Sequence, residues 1–350
     1  MLPGRVLSIQ SHVTFGYVGG KAATLPLQLL GWDVDVVNTV NFSNHSGYHR
    51  FGGVKAKAHE LTEIFSAMEA NGFLRPSRLL TGFIPGAESL LVVSDVAAKL
   101  LEEYPQLIWL LDPVIGDAGK VYVAADVIPV YRSMLPKATI ITPNWFEVEV
   151  LTDTKIEDPT SLRKALKILH TTYMVPNVVV SSIPVKPWLV EFMPSDIRLR
   201  ADEGEDALLC LASSRTEGAD STAPSRVHAA CVPLVPGYFS GVGDLFSALV
   251  LGHFDPAPGA PTSPGSPVSR AVSFALTKTH AILLKTAEYA SSLPEDERYP
   301  TDDDRDAEDP GRRIRRMRGR ELRLVQGQDI LRGTGIGELR TMTEWVDFWA

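Results

Sequence analysis

The residues best suited to chemistry lie in Gly241-Val242-Gly243-Asp244, just ahead of the apolar run Leu245–Leu251. Two glycines one residue apart permit a tight loop whose N–H groups turn to one side. The apolar run reads as a buried helix, so an anion there would meet converging amides and the positive end of a helix dipole. Asp244 stands at the same helix start, able to take a proton from whatever the loop holds. An aspartate that merely N-caps the helix accounts for it as well.

Such a loop needs a scaffold, and the chain supplies one. Short apolar runs alternate with helical patterns: Val6–Ile9, Trp32–Val37, Leu79–Phe83, Leu107–Leu111, Ala138–Ile141 and Val178–Val180 read as strands. Between them, 21–30, 56–70, 92–104, 126–135, the stretch carrying Glu147 and the segment after Asp158-Pro159 read as helices. Alternation of this kind implies right-handed βαβ units and an α/β fold, a doubly wound, mostly parallel sheet flanked by helices. Ser11, Ser46, Asp112, Asp117, Thr142, Asn144 and Ser181 fall at successive strand ends or the loops leaving them. Ligands of open α/β sheets bind at that edge, although each residue alone is also an ordinary turn-former. With an anion loop and an aspartate, the set describes phosphoryl transfer. Asp112, Asp117 and Glu147 would hold Mg²⁺, largely through waters.

Composition narrows the alternatives. With 45% hydrophobic and 22% charged residues, 350 residues make an ordinary globule large enough for a full core. A net charge of −8 argues against nucleic acid or an anionic membrane as the main partner. Two cysteines without a CxxC pattern suit a reducing compartment, and no apolar run approaches a membrane span. The expected location is the cytoplasm. Residues 1–350 read as one kinase domain with flexible inserts at 203–226, 255–268 and 294–320. The last carries balanced acids and arginines and reads as a solvated excursion, with nuclear targeting as an alternative use of its arginines. Leu322–Val325 reads as a final edge strand.

Several blocks resemble the pyridoxal kinase family, the vitamin B6 kinases of the ribokinase-like superfamily. They are Ser8–Val13, Gly16–Gly19, Asn41–Tyr48, Leu80–Gly82, Asp112–Asp117, Ile141–Asn144 with Phe146-Glu147, Gly241–Phe246 and Glu321–Gln326. The resemblance runs in order over residues 5–252 and returns near the end. The GxGD loop alone marks only the superfamily; the Ser-Ile-Gln-Ser and Phe-Ser-Asn-His blocks are specific to B6 kinases. It implies ATP-dependent phosphorylation of the 5′-hydroxymethyl of pyridoxal, pyridoxine or pyridoxamine by a small-lidded homodimer.

By the same resemblance Ser11 and Ser46 hydrogen-bond the ring substituents, Val18, Val40 and Phe42 form apolar walls, and Phe83 stacks on the pyridine. Asp112 and Thr142 help hold a monovalent cation such as K⁺; Asp117, Asn144 and Glu147 serve the phosphate–Mg²⁺ cluster. Tyr122, Ser181, Ser182 and the segment Val235-Pro236-Gly237 serve ATP, with Val242 and Gly243 at its phosphates. Asp244 accepts the hydroxyl proton while Gly241 and Gly243 shape the oxyanion-hole-type donor set. Val242 departs from the family, which commonly has a hydroxyl residue between the glycines, so one phosphate hydrogen bond is missing. A kinase for a hydroxymethylpyrimidine, and a catalytically weak homologue acting as a binding protein, remain as other readings.

Overall fold

Strand β1 (Leu2–Val13) is followed by α1 (Gly20–Leu29), β2 (Asp33–Phe42) and the short β3 (Gly53–Lys55) in the computed structural model. It describes residues 2–117, 119–199, 206–216, 223–257, 265–298 and 303–350. Next come α2 (Ala58–Ala70), β4 (Pro76–Thr81), α3 (Ala87–Glu103) and β5 (Ile108–Leu111). A two-stranded ribbon, β6 (Gly116–Asp117) with β7 (Lys120–Val121), leaves the sheet edge before α4 (Val127–Met134) and β8 (Ile140–Ile141). Then follow α5 (Trp145–Thr152), α6 (Pro159–Thr171), β9 (Asn177–Pro184), α7 (Pro187–Phe192), β10 (Ala207–Arg215) and β11 (Ser225–Pro233). The chain continues through α8 (Val242–His253), α9 (Pro267–Ser292), α10 (Asp303–Glu308), α11 (Pro310–Gly319), α12 (Gln328–Arg332) and β12 (Thr343–Glu344).

The main sheet runs β12-β11-β10-β9-β8-β5-β4-β1-β2-β3. Its centre, from β2 through β9, is parallel, and β3, β10, β11 and β12 add antiparallel edges. Alternate strand residues feed two cores, one on each face. Trp109 and Leu111 pack with α2, α3, α4 and α6, while Leu110 packs with α1, α8 and α9. An unbroken apolar run at β5 follows from that, because neither face of the strand meets water. Helix α6 starts where Asp158-Pro159 predicts, with the Asp158 side chain accepting from the Ser161 N–H.

Several boundaries differ from the sequence reading. Ser11 lies inside β1, not on a loop, at a register shift where Gln10 faces Asn38 and Ser11 faces Val40. Thr39 is the extra residue of this bulge, which re-aims the carboxyl ends of both strands. Ser181 and Ser182 also lie inside a strand, β9. Helix α3 begins five residues before the predicted position 92, and Leu322–Val325 is irregular chain entering a turn, leaving β12 as the edge. Much of the expected polar insert 203–226 is β10 and the start of β11, whose Leu209 and Leu211 join one core and Cys210 the other. Polar flanks disguise that strand in the sequence.

The charged block is not the solvated excursion expected. Asp306 is 5% exposed and sits between Arg312 and Arg316, each 4% exposed. Arg312 Nη1 donates to Asp306 Oδ1 at 2.6 Å, and Arg316 Nη2 donates to Oδ2. Arginines one helical turn apart share one buried carboxylate, so each guanidinium has a charged partner inside the fold. Of the expected inserts, residues 203–205, 217–222, 258–264 and 299–302 lie outside the described residues.

Candidate active site

Gly241 is the N-cap of α8, with φ 79°. A Cβ at Gly241 would stand 2.0 Å from the Tyr17 carbonyl oxygen, so both the dihedral and the packing demand glycine. The first helical bond runs from Leu245 N–H to the Gly241 carbonyl at 3.0 Å. The N–H groups of Val242, Gly243 and Asp244 precede it and have no partner one turn back. A Cβ at Gly243 would meet no atom within 4 Å. The positive end of the helix therefore opens onto space an anion can fill.

Asp244 is the third residue of α8, not its N-cap. Its carboxylate reaches across to accept the Gly19 N–H, and burial pushes its pKa up against that bond. Gly19 in turn packs on Ser11: a Cβ there would lie 2.2 Å from the Ser11 carbonyl oxygen and Oγ. The expected base, the anion loop and the 17–19 turn beside Ser11 thus form one contact set.

One turn further along α8 stands Ser247, which sequence reasoning passed over. Its Oγ donates to Asp112 Oδ2 at 2.9 Å and lies 2.8 Å from Thr142 Oγ1. With its single proton given to Asp112, Ser247 accepts from Thr142. Asp112 follows β5 and Thr142 follows β8, so Ser247 ties two strand ends to the helix that carries Asp244. The available signal was the spacing Asp244-x-x-Ser247, which puts both on one helix face. Burial, then the neighbouring Asp244 charge, push the Asp112 pKa up, and the Ser247 bond opposes them.

Glu147 and Asn144 form a capping box at the start of α5. Asn144 Oδ1 accepts the Glu147 N–H at 2.9 Å, and Glu147 Oε2 accepts the Asn144 N–H at 2.9 Å. Glu147 Oε1 also accepts from Ile115 N–H at 2.9 Å and Gly116 N–H at 3.4 Å, while Asn144 Nδ2 donates to the Gly116 carbonyl at 2.8 Å. Glu147, 3% exposed, therefore fixes the turn from Asp112 to Asp117. Asp117 on β6 and Tyr122 just past β7 are exposed on the ribbon.

The acids fit a hydrated cation better than a bare one. No lysine or arginine pairs with Asp112 or Asp244 among the described residues, so their charge is uncompensated within the protein. Yet no three acidic, histidine or cysteine side chains converge to cage an ion among those residues. A divalent ion that keeps its waters and is shared with phosphate oxygens suits that geometry.

The residues expected around the substrate ring differ in exposure. Val40 is buried, Val18, Phe42 and Phe83 are half-buried, and Ser46 is exposed between His45 and Gly47. The Phe83 carbonyl accepts from Thr39 Oγ1 at 2.7 Å, tying it to the β2 bulge. A second residue whose role sequence reasoning missed, Glu321, braces the turns that carry Val18 and Ser46. Its Oε2 accepts from Tyr17 N–H at 2.8 Å, and its Oε1 from Tyr48 Oη at 2.8 Å and His45 Nε2 at 3.2 Å. His45 Nδ1 accepts the Gly47 N–H at 3.1 Å, so the ring proton is on Nε2, facing Glu321. Burial alone would raise the Glu321 pKa; the bonds from His45, Tyr48 and Tyr17 outweigh it and hold the carboxyl below its ordinary range.

The residues expected for the nucleotide are less tightly gathered. Ser181 and Ser182 are half-buried, with Ser181 N–H bonded to the Pro143 carbonyl at 3.1 Å. Val235 is buried, while Pro236 and Gly237 are exposed beside the Arg320 guanidinium. A cavity of 670 Å³ opens there, lined by Pro236, Phe239, Ala287, Arg298, Arg305 and Arg320 among others.

Comparison with known proteins bears on the fold and the family. The family profile for phosphomethylpyrimidine kinase matches residues 56–189. A putative pyridoxal kinase of Schizosaccharomyces pombe is 36% identical over 300 residues, spanning 85% of this chain and 90% of the relative. Pyridoxal kinase of Bos taurus is 39% identical over 252 residues, 71% and 76% of the two chains. Among solved structures, pyridoxal kinase from Leishmania donovani in complex with ADP and pyridoxamine superposes with a TM-score of 0.76. It is 30% identical and covers 97% of this chain and 99% of its own. The sheet order, the GxGD loop and these alignments lead to one assignment: the chain belongs to the pyridoxal kinase family.

Proposed function

We propose that this chain transfers the γ-phosphoryl group of ATP to the 5′-hydroxymethyl group of pyridoxal, pyridoxine or pyridoxamine. It is a phosphotransferase with an alcohol acceptor, and its product is the vitamer 5′-phosphate. The observation that carries the site assignment is the contact set at the start of α8. Asp244 accepts the Gly19 N–H, and the same helix start is open beside Gly243.

Phosphoryl transfer passes through a loose transition state, so positioning and charge neutralisation supply most of the acceleration. The α8 amides and dipole stabilise the moving phosphoryl. Asp244 accepts the hydroxyl proton late, as the oxygen–phosphorus bond forms, so its place matters more than its basicity. Ser11, Ser46 and Phe83 hold the ring, within the walls of Val18, Val40 and Phe42. Ser181, Ser182, Tyr122 and Val235–Gly237 hold the nucleotide. Asp112, Asp117 and Glu147 would hold Mg²⁺ through water, and Asp112 with Thr142 a monovalent cation such as K⁺. Such ions, when bound, supply positive charge between the phosphates and the carboxylates. The chain works as one kinase domain, cytoplasmic and homodimeric; no described helix is long and apolar enough to cross a membrane.

The match of residues 56–189 to phosphomethylpyrimidine kinase favours one second reading, a hydroxymethylpyrimidine as acceptor. An ATP-coupled assay with pyridoxal, pyridoxine, pyridoxamine and hydroxymethylpyrimidine side by side decides between them. Turnover of the pyrimidine alone would overturn the B6 assignment.

A further inference from the structure

We infer that Glu321 is the positioning residue of the vitamin side, a single carboxylate that holds the 16–19 turn and the 45–48 turn at fixed separation. The inference takes the identity of the ligand from the pyridoxal kinase reading; the contacts themselves stand without it. Tyr17 N–H and the side chains of His45 and Tyr48 all converge on Glu321, from turns otherwise far apart in sequence. The turns carry Val18 and Ser46, a wall and a hydrogen-bonding group of the proposed ring pocket.

Neighbouring contacts act in the same direction. Arg313 Nε donates to the Gly47 carbonyl at 2.7 Å, so α11 grips the residue after Ser46. Gly16 leaves no room for a side chain, since a Cβ there would stand 2.5 Å from the Glu321 carboxylate oxygens. The Tyr17 carbonyl packs against Gly241, so the turn held by Glu321 also abuts the anion loop. Glu321 touches neither reacting atom nor phosphate in this scheme; it acts through the turns it holds.

Two substitutions test it. Glu321→Gln keeps the volume but turns one acceptor oxygen into a donor that faces another donor. Tyr48→Phe removes one of the bonds and leaves the charge in place, so it serves if the first variant folds poorly. Hydrogen exchange on the ligand-free protein reads the turns directly, and steady-state kinetics read the substrates. The expected result is faster exchange at 16–19 and 43–50 in both variants, with melting temperature lowered by a few degrees in Glu321→Gln and by less in Tyr48→Phe. KM for pyridoxal should rise about tenfold in Glu321→Gln and about threefold in Tyr48→Phe, the scale of one charge-assisted hydrogen bond and part of one. KM for ATP should stay within about twofold, because the lost binding is specific to one substrate. Unchanged exchange at both turns, or equal rises in the two KM values, would overturn the inference. Failure of the parent protein to phosphorylate any B6 vitamer would sink only the substrate assignment, leaving the exchange result to judge the latch.

Discussion

The two halves of the site are built in opposite ways. On the phosphate side, Asp112, Thr142 and Asn144 stand at the ends of adjacent parallel strands. Asn144 and Glu147 close a capping box only three residues apart. On the vitamin side, the 16–19 and 45–48 turns lean on Glu321, up to 304 residues away in the chain. One half is fixed by the capping box on the sheet edge and by Ser247 reaching over from α8, the other by contacts with the segment from Arg313 to Glu321. On the proposed assignment the difference separates chemistry from specificity: the phosphate side is held by the sheet edge and α8, while the proposed ring pocket depends on a distant strap.

The sharpest break of that division is at Asp244, which touches both halves. Asp244→Asn should lower kcat by about 10²–10⁴-fold while pyridoxal and ATP still bind, measured by single-turnover kinetics and calorimetry. Near-normal turnover would remove Asp244 from the mechanism. Glu147→Ala tests whether the phosphate side is rigid by local structure. Losing the capping box and stranding the Ile115 and Gly116 amides should cost about 2–4 kcal/mol in denaturant unfolding. A smaller loss would mean that the strands alone hold that turn.

Acidity should separate the halves as well. The Glu321 pKa is lowered by its donors, so its stabilising contribution is present above the unfolded value near 4.3 and fades as pH falls through the folded value. Asp112 and Asp244 are raised, so their charges cost stability above the unfolded value, and protonation relieves that cost as pH falls through the raised values. Protons and cations therefore compete for them. Added Mg²⁺ and K⁺ should raise Tm more at pH 8 than at pH 6, and equal shifts would count against a cation on these carboxylates. The smallest effect is expected at Val242. Restoring a hydroxyl with Val242→Thr should raise kcat/KM for ATP about two- to tenfold, the range of one added hydrogen bond. Unchanged kinetics would show that the other amides suffice.

What could be read from the sequence follows the same division. Strands β4, β5, β8 and β9 announce themselves as apolar runs, and the loop before α8 by its glycines and the helix after it. Asn144 and Glu147 were read for the phosphate–Mg²⁺ cluster, and the capping box that their spacing allows was not; both oxygens of Glu147 serve backbone amides. Ser247 stayed hidden because a serine in an apolar run reads as core filler. Glu321 fell within a block that resembles the family, but its role stayed hidden because partners some 270 to 300 residues away leave no local pattern. Asp306, Arg312 and Arg316 were misjudged for a related reason: composition does not distinguish a buried, mutually paired charge cluster from a solvated one.

The bonds from Tyr17, His45 and Tyr48 to Glu321 also set an order of events during synthesis. Residues 2–253 contain the strand ends, the capping box and the anion loop, while α9, which packs on one face of the sheet, is made later. The ring pocket cannot be braced until residue 321 has emerged too. A nascent chain therefore carries every residue of the proposed phosphate-handling half before the residue that braces the proposed ring pocket has been made.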